Sequence, residues 1–303
     1  MSDLATIAAT VIRDVTAEND WGPPASYIPE LADIAPDRIG MAIVCESGET
    51  IQAGDAETPF SIQSISKVFA LAATLQRIGP QLWSRVGREP SGDRFDSITL
   101  LEREAGRPRN PFVNAGALVT TDALLAGRAP AQALAEILGM VRDLAEDDDI
   151  HIDANVARSE KATGARNKAL AHYLDSHGNM LNDPDFTLGT YFHQCAIAMS
   201  CVQLAQAGRR LAGLTGAPPL ITPQHAKRIN ALMLTCGHYD GSGDFAFRVG
   251  LPGKSGVGGG ILIIVPEQAS IAIWSPGLNA YGNSHAGTRA AERLARETGW
   301  SVF

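Results

Sequence analysis

A serine and a lysine three residues apart are the first candidates for chemistry in this chain. Ser64 and Lys67 stand where apolar residues begin to recur at helical spacing. Residues three apart on a helix share one face, with Cβ atoms about 5–6 Å apart, so the lysine can reach the hydroxyl. The N–H groups and positive dipole end of a helix N-terminus also favour an oxyanion. The pair therefore indicates a serine nucleophile with a lysine base.

A second lysine, in Lys254-Ser255-Gly256, precedes two apolar runs near the carboxyl end. Serine acyl-enzymes of the penicillin-binding type combine Ser-x-x-Lys with Lys-Ser/Thr-Gly on an edge strand. Two ammonium groups in one pocket lower each other's pKa, and burial lowers it further, which predicts Lys67 as a neutral base. Either motif alone is weak evidence, because capping serines, solvated lysines and Lys-Ser-Gly turns are common.

Two stretches resemble cofactor-binding motifs, but the positions of their residues exclude both. Gly253-Lys254-Ser255 resembles the end of a phosphate-binding loop, but the earlier glycine that such a loop needs falls on Arg248. The glycine-rich stretch 256–260 precedes a strand, whereas a dinucleotide loop follows one and opens a helix. The seven histidines show no metal-ligand spacing. We therefore expect no cofactor and no metal.

The elements that must position these residues follow from periodicity. Helical spacing predicts helices over residues 3–18, 64–78, 118–125, 131–144, 194–211 and 283–298, the last with Asn283 or Ser284 as N-cap and Gly299 at its end. Short apolar runs predict the strand pairs 39–45 with 50–53 and 260–265 with 269–274. This order predicts an α+β fold with a mostly antiparallel sheet from the chain termini, flanked by helices and interrupted by a long helical insertion. We expect one domain, 1–303, with a sheet part at 1–63 and 240–303 and a helical part at 64–239.

Composition narrows the class of protein. The chain has 303 residues, of which 45% are hydrophobic and 19% charged, as in soluble globular proteins. A formal net charge of -8 without a cluster of basic residues argues against binding to nucleic acid. No stretch of the sequence approaches the ~20 apolar residues that are needed to span a bilayer. Four cysteines without metal or redox spacing, and an acidic start at Asp3, predict free thiols in the cytoplasm.

Longer motifs make the chain recognisable over nearly its whole length. They are Tyr27-Ile28-Pro29-Glu30-Leu31, Ser64-Ile65-Ser66-Lys67, Glu89-Pro90-Ser91-Gly92, Pro108-Arg109-Asn110-Pro111-Phe112-Val113-Asn114-Ala115-Gly116-Ala117, Ser159-Glu160-Lys161, Arg166-Asn167, Tyr191-Phe192, Cys236-Gly237-His238-Tyr239-Asp240, Lys254-Ser255-Gly256-Val257-Gly258-Gly259-Gly260, Trp274-Ser275-Pro276 and Gly282-Asn283-Ser284. In this order they resemble the bacterial-type serine-dependent glutaminases of the β-lactamase/DD-peptidase-like superfamily. Asp96 and Ala196 depart from the usual asparagine and serine.

The resemblance implies a role for each matching residue. Ser64 is the expected nucleophile and Lys67 its base, and either Tyr191 or Tyr239 relays a proton to the leaving ammonia. The backbone N–H groups of Ser64 and Val257 are the expected oxyanion hole. The expected substrate-binding residues are Tyr27, Gln63, Ser64, Asn114, Glu160, Asn167, Tyr191, Tyr239 and Val257. Glu160 suits an ammonium group, whereas amides and phenols can donate to a carboxylate.

The activity so implied is hydrolysis of L-glutamine to L-glutamate and ammonia, by a homo-oligomer (dimer or tetramer). Two alternatives share the motifs. A penicillin-binding or β-lactamase-type acyl-enzyme fits both lysines, but Glu160 and Asn114 suit a small zwitterion better than a peptidoglycan stem. A non-catalytic glutamine sensor fits the pocket, but a pure binder needs no activated hydroxyl at Ser64. Ammonia release from glutamine and ring opening of a penicillin separate the three.

Overall fold

A computed structural model describes residues 3–303 of the chain. The helices are α1 (Leu4–Ala17), α2 (Pro29–Ala32), α3 (Ser66–Ile78), α4 (Ile98–Arg103), α5 (Asn114–Leu125), α6 (Pro130–Ala145), α7 (Ala154–Thr163), α8 (Ala165–Ser176), α9 (Pro184–Cys195), α10 (Cys201–Ala212), α11 (Pro223–Cys236), α12 (Ser242–Val249) and α13 (His285–Thr298). The strands are β1 (Gly40–Cys45), β2 (Thr50–Gly54), β3 (Phe60–Ser61), β4 (His151–Ile152), β5 (Ile197–Met199), β6 (Gly253–Ser255), β7 (Gly260–Val265) and β8 (Ala269–Trp274).

The main sheet has five antiparallel strands in the order β2-β1-β8-β7-β6. All its strands come from the two terminal parts of the chain, so the predicted fold is confirmed. Strand β6, which carries Lys254 and Ser255, forms one edge. A smaller antiparallel sheet, β3-β5-β4, lies at the junction with the helices. The predicted boundaries of the sheet part and the helical part stay a prediction.

The fold has three layers, with helices on both faces of the main sheet, because the side chains along the central strands alternate between the two faces. Ile271 and Ile273 of β8 join a core with α1 and α13, whereas Ala272 and Trp274 join the core that contains α10 and the other helices. Successive side chains of a strand point to opposite faces, so both faces of β8 are covered. Full burial of an isoleucine contributes roughly 1.5–3 kcal/mol. Burial on both faces therefore stabilises the sheet whose edge strand, β6, carries Lys254 and Ser255.

Helix α13 begins and ends at residues that the sequence predicts. The Ser284 side chain accepts a hydrogen bond from Gly287 N at 3.2 Å, and Gly299 ends the helix at φ 72°. A hydroxyl cap satisfies one of the free N–H groups of the first turn, and glycine adopts the left-handed conformation without strain. Both predicted caps are confirmed.

The predicted single helix over 194–211 is wrong. Helix α9 ends at Cys195, the segment Ile197–Met199 forms β5, and α10 begins at Cys201. Strand β5 pairs with β3 and β4, and Ser200 then caps α10 by accepting a hydrogen bond from Gln203 N at 3.2 Å. Small and apolar residues here suit either structure, and pairing with strands distant in sequence decides between them.

The other helix starts differ only slightly from those predicted. Helix α5 begins at Asn114 rather than 118, and α3 begins at Ser66 after a 3-10 turn over Gln63–Ile65. The nucleophile candidate Ser64 therefore belongs to the turn that leads into α3. It does not cap the helix.

A buried carboxylate joins two parts of the helical region. The Asp122 side chain is fully buried on α5. It accepts hydrogen bonds from Arg85 Nη2 at 2.5 Å, Leu181 N at 3.0 Å and Asn182 N at 2.9 Å. The segment before α9 is thus tied to α5 through one side chain.

We predict that Asp122→Ala lowers the free energy of unfolding by about 3–5 kcal/mol, because Arg85 is left as an uncompensated, mostly buried charge. Urea denaturation followed by circular dichroism measures the loss. Asp143→Ala, which removes an exposed aspartate on α6, is the matched control. Equal stability losses in the two variants would contradict the structural role of Asp122.

Candidate active site

A pocket of about 250 Å³ opens where the Gln63–Ile65 turn meets α5, α7 and α8. The predicted substrate-binding residues that line it are Tyr27, Gln63, Ser64, Asn114, Glu160, Asn167, Tyr191 and Val257. Tyr239 lies just behind this lining, with its ring centroid 4.5 Å from that of Phe95. Lys67 is buried beneath the pocket. The structure therefore brings together residues that are up to 230 positions apart in sequence (27 to 257).

Ser64 lies on a strained turn at the base of the pocket. The preceding residue, Gln63, has φ 49°, a left-handed conformation that costs a non-glycine residue about 1–3 kcal/mol. The segment 256–258 packs directly against this turn. A Cβ at Gly256 would lie 2.5 Å from the Ile62 carbonyl oxygen, and one at Gly258 would lie 2.3 Å from that of Ser61. Both positions require glycine, and the close approach places the Val257 backbone beside Ser64.

Lys67 is almost completely buried, with 2% of its surface exposed. Its Nζ donates hydrogen bonds to Asn114 Oδ1 at 2.8 Å and to the Phe112 carbonyl oxygen at 3.1 Å. Burial lowers the pKa of Lys67 to about 8, although the charges of Glu160 and Asp96 act in the opposite direction. At pH 7 about one tenth of the amine is therefore neutral, and the neutral fraction grows as the pH rises. The predicted pKa depression is present, and its main cause is burial.

Glu160 is a buried acid that faces a cluster of amides. Burial raises the pKa of this carboxyl to about 7, while a hydrogen bond with Gln63 and the charge of Lys67 lower it. Nearby, Asn114 Nδ2 donates to Asn167 Oδ1 at 2.9 Å, and the Tyr191 hydroxyl donates to Asn114 Oδ1 at 3.3 Å. Glu160 thus offers an anionic acceptor beside the neutral amides, as a zwitterion requires.

Tyr239 is held from behind by the second lysine. Its backbone has φ 59° and its ring is buried. Burial raises the pKa of its phenol, whereas a hydrogen bond with Ser64 lowers it. Lys254 Nζ lies 4.5 Å from the centroid of the Tyr239 ring and donates to the Ser255 carbonyl oxygen at 2.5 Å. The Tyr239 hydroxyl donates to the same oxygen at 3.5 Å.

The second lysine therefore does not point into the pocket as the sequence suggests. Lys254 is fully buried, and its other hydrogen bond goes to the Gly237 carbonyl oxygen at 3.0 Å. Burial and the charge of Lys67 hold its pKa well below the ordinary range. Its contacts are with Tyr239 and the backbone around it.

Sequence reasoning missed part of the pocket wall. The residues that line it without a predicted role are Arg94, Phe95, Asp96, Thr163, Gly164, Arg166 and Cys195. Asp96 forms ion pairs with Arg94 at 3.3 Å and with Arg166 at 3.4 Å, which joins two walls of the pocket. Arg166 could have been predicted to line the pocket, because it directly precedes Asn167 in the sequence. Nothing local shows that residues 94–96 reach the pocket.

The residues that the structure describes form no candidate metal site. Among residues 3–303, no group of three or more His, Cys, Asp or Glu side chains is placed to hold a metal ion. Over the same residues, no helix is long and apolar enough to cross a bilayer.

The fold and this pocket define an enzyme of the β-lactamase-like class, with Ser-x-x-Lys facing a Lys-Ser-Gly edge strand. The glutaminase family model matches residues 22–303. The chain is 57% identical over 308 residues to a glutaminase of Methylobacterium radiotolerans and 58% identical over 307 residues to one of Azorhizobium caulinodans, in each case over 100% of this chain and 99% of the relative. This chain belongs to the glutaminase family and is an amidohydrolase.

A solved structure supports the same assignment. It is the structure of a Bacillus subtilis glutaminase in covalent complex with 5-oxo-L-norleucine. The sequence of that glutaminase is 32% identical to this chain, and the two structures align with a TM-score of 0.90. The alignment covers 99% of this chain and 100% of that one. The roles of individual residues in this chain stay predictions.

We predict that Lys254 acts through Tyr239. Lys254→Met is expected to lower kcat, and in a Tyr239→Phe background it should lower kcat much less. The deviation from additivity should correspond to about 0.5–3 kcal/mol. Steady-state kinetics of the four proteins measure this deviation, and Lys227→Met, an exposed lysine on α11, is the control. Fully additive effects would show that Lys254 does not position Tyr239.

Proposed function

We propose that this chain hydrolyses L-glutamine to L-glutamate and ammonia through a γ-glutamyl ester on Ser64. The observation that carries the proposal is the combination, in one pocket, of a serine on a strained turn, a buried lysine with a pKa of about 8 and a buried carboxylate. The covalent complex of the Bacillus subtilis relative, formed with 6-diazo-5-oxo-L-norleucine, supports a covalent route.

The head group of glutamine binds at the end of the pocket that contains Glu160. The ionised Glu160 carboxylate accepts hydrogen bonds from the α-ammonium group. The α-carboxylate accepts a hydrogen bond from Nδ2 of Asn167, whose Oδ1 accepts one from Asn114. Charge-assisted hydrogen bonds of this kind contribute about 1.5–3 kcal/mol each. This arrangement directs the side-chain amide toward Ser64.

Acylation begins when neutral Lys67 takes the proton of the Ser64 hydroxyl, and Oγ attacks the γ-carbonyl carbon. The backbone N–H groups of Ser64 and Val257 stabilise the oxyanion, because fixed donors aimed at a developing charge need no reorganisation. The C–N bond then breaks, and a proton passes to the leaving ammonia. The hydrogen bond between Tyr239 and Ser64 supports Tyr239 rather than Tyr191 as the relay. Water then attacks the ester by the reverse proton path.

Three further expectations remain part of the proposal. No metal or organic cofactor enters the reaction. A cytoplasmic location is supported by the four free cysteines, Cys45, Cys195, Cys201 and Cys236. A homo-oligomer, dimer or tetramer, is supported by exposed apolar side chains at Leu181, Phe186 and Phe247.

The decisive experiment traps the ester. With hydroxylamine present, glutamine should yield γ-glutamyl hydroxamate, and the ratio of hydroxamate to glutamate should be the same for glutamine and for a γ-glutamyl ester. Ser64→Ala should abolish both products. A ratio that depends on the leaving group would mean that water attacks the amide directly. When a penicillin replaces glutamine, its ring should stay closed. Ring opening would instead support the penicillin-binding or β-lactamase-type alternative.

We predict that KM for glutamine depends on pH through the ionisation of Glu160. The pKa of this group is raised to about 7, so its binding form is lost as pH falls through 7, and KM should rise there. The base form of Lys67 is gained as pH rises through about 8, so kcat should rise there. Glu160→Gln should raise KM about ten- to more than a hundredfold and should remove the dependence of KM on pH near 7.

Initial rates between pH 6 and 9 measure both effects. Glu102→Gln changes an exposed glutamate on α4 and serves as the matched control. A KM for glutamine that is unchanged in Glu160→Gln would contradict the role of Glu160 as the ammonium acceptor.

A further inference from the structure

Asn283 belongs to the Gly282-Asn283-Ser284 motif, and the reaction described above gives it no role. Ser284 caps α13, so the Asn283 side chain is not needed there. Its amide is nonetheless buried, with 3% of the residue exposed. Among the described residues, those that line the active-site pocket do not include Asn283. A buried amide behind the pocket must therefore be explained by its hydrogen bonds to other parts of the fold.

The two ends of this amide bind two different segments. Oδ1 accepts a hydrogen bond from the Ser255 hydroxyl at 2.5 Å, and Nδ2 donates one to the His238 carbonyl oxygen at 3.1 Å. Ser255 belongs to the edge strand β6, whereas His238 directly precedes Tyr239. An amide, which has one acceptor end and one donor end, fits both partners. Asn283 thus joins β6 to the turn that carries Tyr239.

The backbone of Asn283 is held independently of Tyr239. Asn283 N donates to Asn279 Oδ1 at 3.2 Å, and the Asn283 carbonyl oxygen accepts a hydrogen bond from Asn279 N at 2.8 Å. The hydroxyl of the next residue, Ser284, donates to the Ser275 carbonyl oxygen at 2.7 Å, directly after the central strand β8. These bonds anchor Asn283 to the main sheet and to α13, so its side chain is a fixed reference for the Tyr239 turn.

The hydrogen bond to His238 bears directly on the strained backbone of Tyr239. The His238 carbonyl and the Tyr239 N–H belong to one planar peptide unit. Rotation of this plane changes φ of Tyr239, which is 59°. A return to a negative φ, with the ring kept in place, would turn the carbonyl away from Asn283. Gly241 N also donates to this oxygen at 3.1 Å, but from within the turn itself. Asn283 therefore ties the peptide to the rest of the fold.

The phenol end of Tyr239 meets the partner of the same amide. The Tyr239 hydroxyl donates to the Ser255 carbonyl oxygen at 3.5 Å, while the Ser255 hydroxyl donates to Asn283. One amide thus sets the backbone of Tyr239 relative to the strand residue that its phenol contacts. The phenol also forms a hydrogen bond with Ser64. Displacement of the turn relative to β6 would therefore move the proposed proton relay away from the reacting atoms.

We propose that Asn283 is a positioning residue that holds Tyr239 where it protonates the leaving ammonia. The inference rests on the proposed function, in which Tyr239 is the relay. The amide does not touch the substrate and acts through the His238 peptide and Ser255. Its loss should impair the step that needs the relay, the departure of a poor leaving group, and should spare a reaction whose leaving group needs no proton.

The test compares two substrates whose leaving groups differ in their need for a proton. Ammonia departs from L-glutamine only after protonation, whereas p-nitrophenolate leaves γ-glutamyl p-nitrophenyl ester as a stable anion. The quantity measured is kcat/KM for glutamine divided by kcat/KM for the ester, with the full chain and one preparation of each variant. Both rates scale with the fraction of folded enzyme, so partial unfolding cancels in this ratio.

Asn283→Leu keeps roughly the size of the side chain and removes both of its hydrogen bonds. The Ser255 hydroxyl keeps the Gly237 carbonyl oxygen at 3.4 Å as a partner, and the His238 carbonyl keeps Gly241 N. Neither group is left without a hydrogen bond, so the fold should persist. The ratio should fall about ten- to a hundredfold, since a misplacement of about 1 Å can cost that much. Asn283→Ala, which removes the same bonds without filling the space, should give the same selective fall.

Three further proteins calibrate the ratio. Tyr239→Phe should lower it at least as much as Asn283→Leu does, and the double variant should lower it no further than Tyr239→Phe alone. Asn230→Leu is the matched control, because Asn230 on α11 also donates through Nδ2 to a backbone carbonyl oxygen, that of Leu211 at 2.8 Å. This control should leave the ratio unchanged.

The outcomes separate this inference from the proposed function. If Tyr239→Phe lowers the ratio but the two Asn283 variants lower both rates equally, or neither rate, the positioning role is wrong and the relay stands. If Tyr239→Phe leaves the ratio unchanged, Tyr239 is not the relay, and the positioning role fails with that part of the proposed function.

Discussion

The burial of the Lys67 amine is the constraint on which the rest of the site depends. An ammonium in an apolar interior loses its hydration, so the neutral form is favoured and the pKa falls to about 8. The same amine needs hydrogen-bond partners, and it finds them in the Asn114 side chain and the Phe112 carbonyl oxygen. Because Asn114 also binds Asn167 and Tyr191, the proposed base and these proposed substrate-binding groups form one hydrogen-bonded unit.

Backbone strain appears at two residues near Ser64. Gln63, which directly precedes Ser64, and Tyr239 both have positive φ. Such conformations persist only where the surrounding structure determines them. The surroundings here are the close-packed segment 256–258 and the buried Lys254. The second lysine motif thus acts as a support for Tyr239 in this structure, and the glycines after it bring the edge strand to Ser64.

Much of the fold follows from the sequence because its signals are local. The strand pair β7 and β8 has the predicted bounds, since apolar runs separated by a turn leave little freedom. The helix over 194–211 was wrong because the preference of β5 for a strand arises from pairing with β3 and β4, which lie far away in sequence. Periodicity within one segment carries no information about such partners.

The sequence by itself identified the candidate chemistry of the site: the spacing of Ser64 and Lys67 predicts that they lie on one face of a helix start, and the longer motifs imply the pocket residues. Only the tertiary structure decided how these groups are oriented. It directs Lys254 toward Tyr239 instead of the pocket, and it brings Asp96 between Arg94 and Arg166. Side-chain direction, burial and long-range charge depend on elements that meet only in the folded chain. Local sequence can therefore supply the reacting groups but not the environment that sets their pKa values.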